Sequence, residues 1–62
     1  MKIISEHYGT DIDRHAQVYL EENFYKVRVR NETGSYFVAF FERLDDAENF
    51  AENYVIGETH EP

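Results

Sequence analysis

The apolar period of this chain changes once, and that change limits what it can fold into. In "HAQVYLE" and "FYKVRVR" apolar residues recur at every second position; from Leu44 onward they recur every third or fourth. A period of two belongs to a strand with one buried face, and a period of 3.6 to an amphipathic helix. The 62 residues therefore have room for a few strands followed by one helix.

The strands can be placed from the alternation and the turn residues between them. "KIISEHY" (2–8) reads as the first, with Ile3 and Ile4 on opposite faces, and "GTDID" (9–13) as its connection. "HAQVYLE" (15–21) is the second, "FYKVRVR" (24–30) the third and "SYFVAFFE" (35–42) the fourth. "EN" (22–23) makes a short hairpin turn; in "NETG" (31–34), Gly34 suits a left-handed position. In "LDDAENFAENYVI", residues Leu44, Ala47, Phe50, Ala51, Tyr54 and Val55 form the helical stripe. Asp45, Asp46 and Glu48 crowd its first turn, where carboxylates suit the helix dipole. Asp45 and Glu48 have capping-box spacing, and Gly57 is placed to end the helix. The expected fold is α+β: a three- to four-stranded antiparallel β-meander followed by one C-terminal helix packed on one face. Residues 1–57 form the single domain and 58–62 a flexible acidic tail.

Turn lengths also set the register. A turn at Glu22–Asn23 puts Val18 opposite Val27 and Gln17 opposite Arg28. A loop of Glu32, Thr33 and Gly34 puts Val27 opposite Ala39 and Arg28 opposite Val38. The faces then agree across three strands. One carries Ala16, Val18, Leu20, Tyr25, Val27, Val29, Phe37, Ala39 and Phe41, and is the expected core. The other carries His15, Gln17, Tyr19, Phe24, Lys26, Arg28, Arg30, Tyr36, Val38 and Phe40. One helix covers one face of a small sheet, so the second face is left without cover from this domain.

That second face collects three of the six basic residues of a chain whose formal net charge is -7. The acids gather elsewhere: from Glu42 onward there are seven acids and one base, Arg43. Lys26, Arg28 and Arg30 beside Tyr19, Tyr36 and Phe40 make an expected binding surface, since aromatics and arginine dominate interface energies. The alternative is structural: basic stems lie over the rings and shield them. Three partner classes fit an open face of this kind. A protein partner, including a host protein, is the first. Nucleic acid is the second, through phosphate contact and base stacking, although the net acidity opposes it. A second copy of the chain is the third. Two faces stacked on each other would need Glu21, Glu32 or the acidic tail between the like-charged rows. Asp45, Asp46, Glu48 and Glu52, with Glu42, form a separate acidic ridge on the helix, which is either a solvated face or a mimic of the DNA phosphate backbone.

No catalytic constellation emerges. There is no cysteine, Ser5 and Ser35 lack a His–Asp setting, and no Gly-rich phosphate loop is present. His7 and His15 could approach each other across the first hairpin; His60 lies in the tail. The expectation is a non-enzymatic protein with no cofactor and no metal. "MKIISEHYG" lacks the apolar core of a signal peptide, and no stretch is long or apolar enough to span a membrane. A cytoplasmic location is expected.

Two resemblances bear on function. "FERLDDAENF" (41–50), after three strands, resembles the strand-to-helix junction of the arm-type DNA-binding domains of phage integrases, with its F-x-x-x-x-x-A-x-x-F cadence. That likeness implies DNA contact through the sheet. The chain as a whole, short, acidic and rich in Tyr and Phe, resembles the compact reading frames of tailed bacteriophages, marine ones especially. That likeness implies a small protein made in the host cytoplasm, which binds and modulates a host protein.

Overall fold

A computed structural model describes residues 2–58. Four strands, β1 (Lys2–Tyr8), β2 (His15–Leu20), β3 (Tyr25–Arg30) and β4 (Tyr36–Phe41), precede one helix, α1 (Leu44–Val55). The strands form one antiparallel sheet in the order β1-β2-β3-β4. The fold is thus an α+β meander with a C-terminal helix packed against it. The expected tail falls at 58–62, and all of it but Glu58 lies outside the described residues.

The register from β2 to β4 follows from the turns. Val18 pairs with Val27 and Gln17 with Arg28; Val27 pairs with Ala39 and Arg28 with Val38. At the first turn Glu21 N donates to Phe24 O at 2.9 Å, leaving two residues to reverse the chain. At the second, Asn31 does more than mark a turn. Its side-chain Oδ1 accepts bonds from Thr33 N, Thr33 Oγ1 and Ser35 N at 3.0, 2.7 and 2.9 Å. A buried asparagine is tolerated when its polar atoms are used in this way. Gly34 sits at φ 92°, the left-handed conformation that closes such a loop.

β1 departs from simple alternation. Ile3 pairs with Tyr19 and Ser5 with Val18, so Ile4 is the extra residue of a bulge. The bulge reverses the parity of the strand. Ser5 and His7 face the helix, whereas Ile3 joins Tyr19 on the opposite face. His7 pairs with Ala16, and His15 with Tyr8. The two histidines therefore lie on opposite faces, and their expected approach across the hairpin does not occur.

The core is the helix stripe against the predicted face. Ala16, Val18, Val27, Val29, Ala47, Ala51, Tyr54 and Val55 are buried together, and Tyr25, Phe37, Phe41 and Phe50 pack around them. Ala47 and Ala51 have no bulk to hold the helix off the valines, so the backbone of α1 can lie close to the sheet. Phe50 bridges Phe41 and Tyr54, with ring centroids at 5.4 and 6.1 Å. Leu20, expected in the core, is 41 % exposed. It closes β2 at the rim of the area that α1 covers.

The helix ends are built differently from each other. At the N-terminus the cap is Arg43, in extended conformation and without a side-chain cap bond. Asp45 and Asp46 occupy the first turn, where their charge favours the dipole. The expected Asp45–Glu48 capping box does not form, because the helix starts one residue before Asp45 and Glu48 turns to β1. Its Oε2 accepts from Ser5 Oγ at 2.8 Å, and its Oε1 lies 2.9 Å from His7 Nε2. At the C-terminus Glu58 N donates to Asn53 O at 2.9 Å and Gly57 N to Tyr54 O at 3.1 Å, with Gly57 at φ 88°. This is the Schellman arrangement, which satisfies the last carbonyls.

No basic residue sits in the last turn of α1, and Arg14 supplies that charge from the β1–β2 connection. Its guanidinium donates to Tyr54 O at 3.0 Å and lies 4.6 Å from the centre of the Tyr54 ring. It also donates from Nε to Glu32 Oε1 at 2.8 Å. The Arg14 bond holds the Glu32 carboxyl below the usual carboxylate range. One side chain thus ties the first connection, the second turn and the end of the helix.

Candidate interaction face

Side chains that face away from α1 form rows across the four strands, and the registers give their order. Tyr8, His15, Arg30 and Tyr36 make one row. Glu6, Gln17, Arg28 and Val38 make the next, and Ile3, Tyr19, Lys26 and Phe40 the third. The chemistry divides along the sheet rather than along the rows. Over β1 and β2 most polar side chains contact one another; β4 carries exposed apolar and aromatic side chains.

The β1–β2 half is a polar cluster held by one hydrogen bond, one ring stack and one longer contact. The Tyr8 hydroxyl donates to Glu6 Oε1 at 2.5 Å, and His15 Nε2 lies 3.5 Å from the same oxygen. The Tyr8 ring stacks on His15 at 4.4 Å, with planes 8° apart. The Tyr8 bond holds the Glu6 carboxyl below its ordinary range, with His15 adding to the effect against desolvation. The same bond pushes the Tyr8 phenol up, because ionising it would place a phenolate beside a carboxylate. In spectrophotometric titration, Tyr8 is expected to ionise at higher pH than an unperturbed phenol. Glu6→Gln should return it towards the ordinary value, and an unchanged titration curve would count against this bond.

Of the residues expected to form the binding surface, the structure gathers some and withdraws others. Tyr19 is only 8 % exposed. Its hydroxyl donates to Gln17 Oε1 at 2.7 Å, and the Lys26 ammonium lies 5.2 Å from its ring centre. Lys26 also lies 3.9 Å from Glu21 Oε2, and Arg30 3.4 Å from Asp13 Oδ1. The shielding reading thus applies to this half. Arg28 differs: among the described residues it has no carboxylate within ion-pair distance. Its guanidinium lies 4.4 Å over the ring of Tyr36.

β4 carries the open part. Tyr36, Val38 and Phe40, at alternate positions on one face, are 56, 44 and 62 % exposed. Phe24, from the end of the first turn, meets Phe40 edge-on at 5.5 Å. The open patch is therefore Arg28, Tyr36, Val38, Phe40 and Phe24. Val38 belongs to it on the strength of its position opposite Arg28, a signal already contained in the alternation of β4. Grouped exposed aromatics around a guanidinium with no carboxylate partner among the described residues are the composition of an interface centre.

The acidic ridge on α1 is thinner than the sequence implied. Glu48 is half-buried and bound to Ser5 and His7, so it faces the sheet. Asp45 carries an exposed ion pair with Arg43 at 3.3 Å. Asp46 and Glu52 remain solvent-facing.

Ser5, His7 and Glu48 nevertheless bring a hydroxyl, an imidazole and a carboxylate together, which the sequence reading did not foresee. Their geometry is not that of a proton relay. A relay uses one ring nitrogen for the serine and the other for the acid. Here Ser5 Oγ, at 3.2 Å, and Glu48 Oε1, at 2.9 Å, share the same atom, His7 Nε2. Ser5 also gives its proton directly to Glu48 Oε2. The cluster fastens β1 to the helix.

Among the described residues, no helix is long and apolar enough to cross a membrane. Set against family models, curated proteins and solved structures, the chain has no match in any of the three.

Proposed function

We propose that the protein is a small, non-enzymatic protein-binding module that acts through the β3–β4 side of its sheet. One observation carries the reading. Tyr36, Val38 and Phe40 are exposed side by side, next to the one sheet arginine that has no carboxylate partner among the described residues. A partner that fits this patch offers an apolar anchor for the rings and a carboxylate for Arg28. The likeness to compact phage proteins would make that partner a host protein, bound in the host cytoplasm.

Nucleic acid draws less support from the same face. Of three bases in line, Lys26 and Arg30 lie against carboxylates of the chain itself, which leaves Arg28 alone to meet phosphate. The acidic helix draws less support as a DNA mimic, since Glu48 is turned inward.

The test is affinity capture from host extract, followed by quantitative binding to the captured protein. Truncating exposed aromatic anchors costs about 1–2 kcal/mol each, so Tyr36→Ala with Phe40→Ala should weaken binding by roughly 30-fold or more. Arg28→Glu should weaken it comparably. Both variants should keep the wild-type circular dichroism. A partner whose affinity is unchanged by either would remove the patch from consideration. Salt-sensitive binding of labelled DNA or RNA, lost in Arg28→Glu, would favour the nucleic-acid reading instead.

A further inference from the structure

The outer edge of β4 is a second feature, distinct from the patch on its face. In an antiparallel ladder the hydrogen-bonded pairs alternate. Asn31 N donates to Ser35 O at 2.9 Å, so the Asn31–Ser35 pair is a bonded one. Counting along the register, Phe37, Ala39 and Phe41 spend their backbone groups on β3. Tyr36, Val38 and Phe40 therefore turn their N–H and C=O groups outward, where the sheet ends. From Tyr36 to Phe41 the strand has no charge and no proline. An edge of that kind is a template for another strand.

We propose that this edge pairs with β4 of a second copy, about a two-fold axis through Val38, to give one continuous sheet across the dimer. The register is self-complementary. Val38 meets the partner's Val38, and Tyr36 meets the partner's Phe40. All three outward-facing residues are used, forming about six hydrogen bonds. On the helix side Phe37 stands opposite the partner's Ala39, a large side chain beside a small one. A two-fold normal to the sheet keeps like faces together, so every side chain stays on its own side.

Charge argues for a second copy over a foreign segment. A chain at net charge -7 repels its own copies, and β4 is the edge strand that adds no formal charge to that repulsion, whereas β1 carries Lys2 and Glu6. β4 also has no charged group to recruit an acidic or basic segment. The helices do not collide. Each α1 lies mainly across β2 and β3, so the two are separated by about four strand spacings, roughly 19 Å. That exceeds the ~8 Å screening length at physiological salt. Stacking two sheets face to face has less to offer, because Glu21 and Glu32, the acids needed between the basic rows, lie against Lys26 and Arg14 of their own chain.

Light scattering on the full chain tests this. The expected mass is twice the 7.4 kDa of one chain. Val38→Pro removes the central donor without removing a bond to β3. Val38→Lys puts two ammonium groups face to face at the axis. Both should return the mass to 7.4 kDa with circular dichroism unchanged. Hydrogen exchange at the Tyr36, Val38 and Phe40 amides should slow as protein concentration rises. A wild-type mass of 7.4 kDa up to about 1 mM, a weak-binding limit, would overturn the proposal. So would a dimer mass that persists in both variants, because the contact would then lie elsewhere. The proposal is independent of the partner reading. Arg28→Glu should weaken partner binding roughly 30-fold and leave the dimer mass unchanged, whereas Val38→Pro halves the mass and leaves Arg28, Tyr36 and Phe40 in place.

Discussion

Replacing Tyr54 with alanine is expected to remove about half or more of the stability of the domain. Tyr54 is the largest fully buried side chain. It fills the space between α1 and the sheet, beside Phe50 and beneath the Arg14 guanidinium. Removing a buried aromatic ring costs about 3–5 kcal/mol, part from lost transfer free energy and part from the cavity left behind. A domain of this size has roughly 3–9 kcal/mol in total. Thermal denaturation followed by circular dichroism should show a fall in Tm of roughly 15 °C or more, or no cooperative transition at all. Tyr54→Phe keeps the ring that Arg14 covers and should lose less than half as much. A Tm for Tyr54→Ala within a few degrees of wild type would mean that the helix does not pack on this ring.

Gly9→Ala is expected to be the most damaging of the small substitutions, for a reason unrelated to hydrophobic area. A Cβ at residue 9 would overlap Ile12 O and stand 2.6 Å from Val55 O. Both are backbone atoms, so no side chain can swing aside. Either the β1–β2 connection or the end of α1 must move, and Gly9 N already donates to Arg14 O at 2.9 Å. Overpacking of this kind costs about 1–3 kcal/mol and sometimes more, a Tm loss of roughly 10 °C. Gly34→Ala is the control. A Cβ there meets nothing within 4 Å, and the cost is the left-handed strain alone, roughly 1 kcal/mol. Equal losses in the two variants would show that the close approach at Gly9 is not what decides.

The same contrast explains what could be read from the sequence. The faces of β2, β3 and β4 were legible because strand alternation and the lengths of two short turns fix them locally. Arg28 facing Val38 follows from three loop residues, and the open patch inherits that certainty. Tyr19 looked identical to Tyr36 in the alternation. It differs because it lies in an interior strand, where Lys26 and Gln17 can close over it; Tyr36 lies in an edge strand with neighbours on one side only. The roles of Glu48 and Arg14 were not legible either. Each acts across most of the length of the chain, Glu48 on β1 and Arg14 on the end of α1. The spacing of Glu48 from Asp45 offered a local partner that the folded chain did not use. Gly9 gave no signal beyond its place in a turn, because one of the atoms that forbid a side chain belongs to the far end of the helix.

The bulge in β1 bears on how far any assembly of this protein can grow. A sheet has two edges, and a molecule with two similar edges can add copies without end, as fibres do. At Ile3 to Ser5 the β1 ladder shifts register, and the strand also carries Lys2 and Glu6. A straight incoming strand cannot follow that edge. If β4 pairs with β4, the one regular edge among the described residues is consumed in a closed, symmetric contact, and the strand left at both ends is the one that carries the bulge. One extra residue near the start of the chain would then set the assembly limit at two.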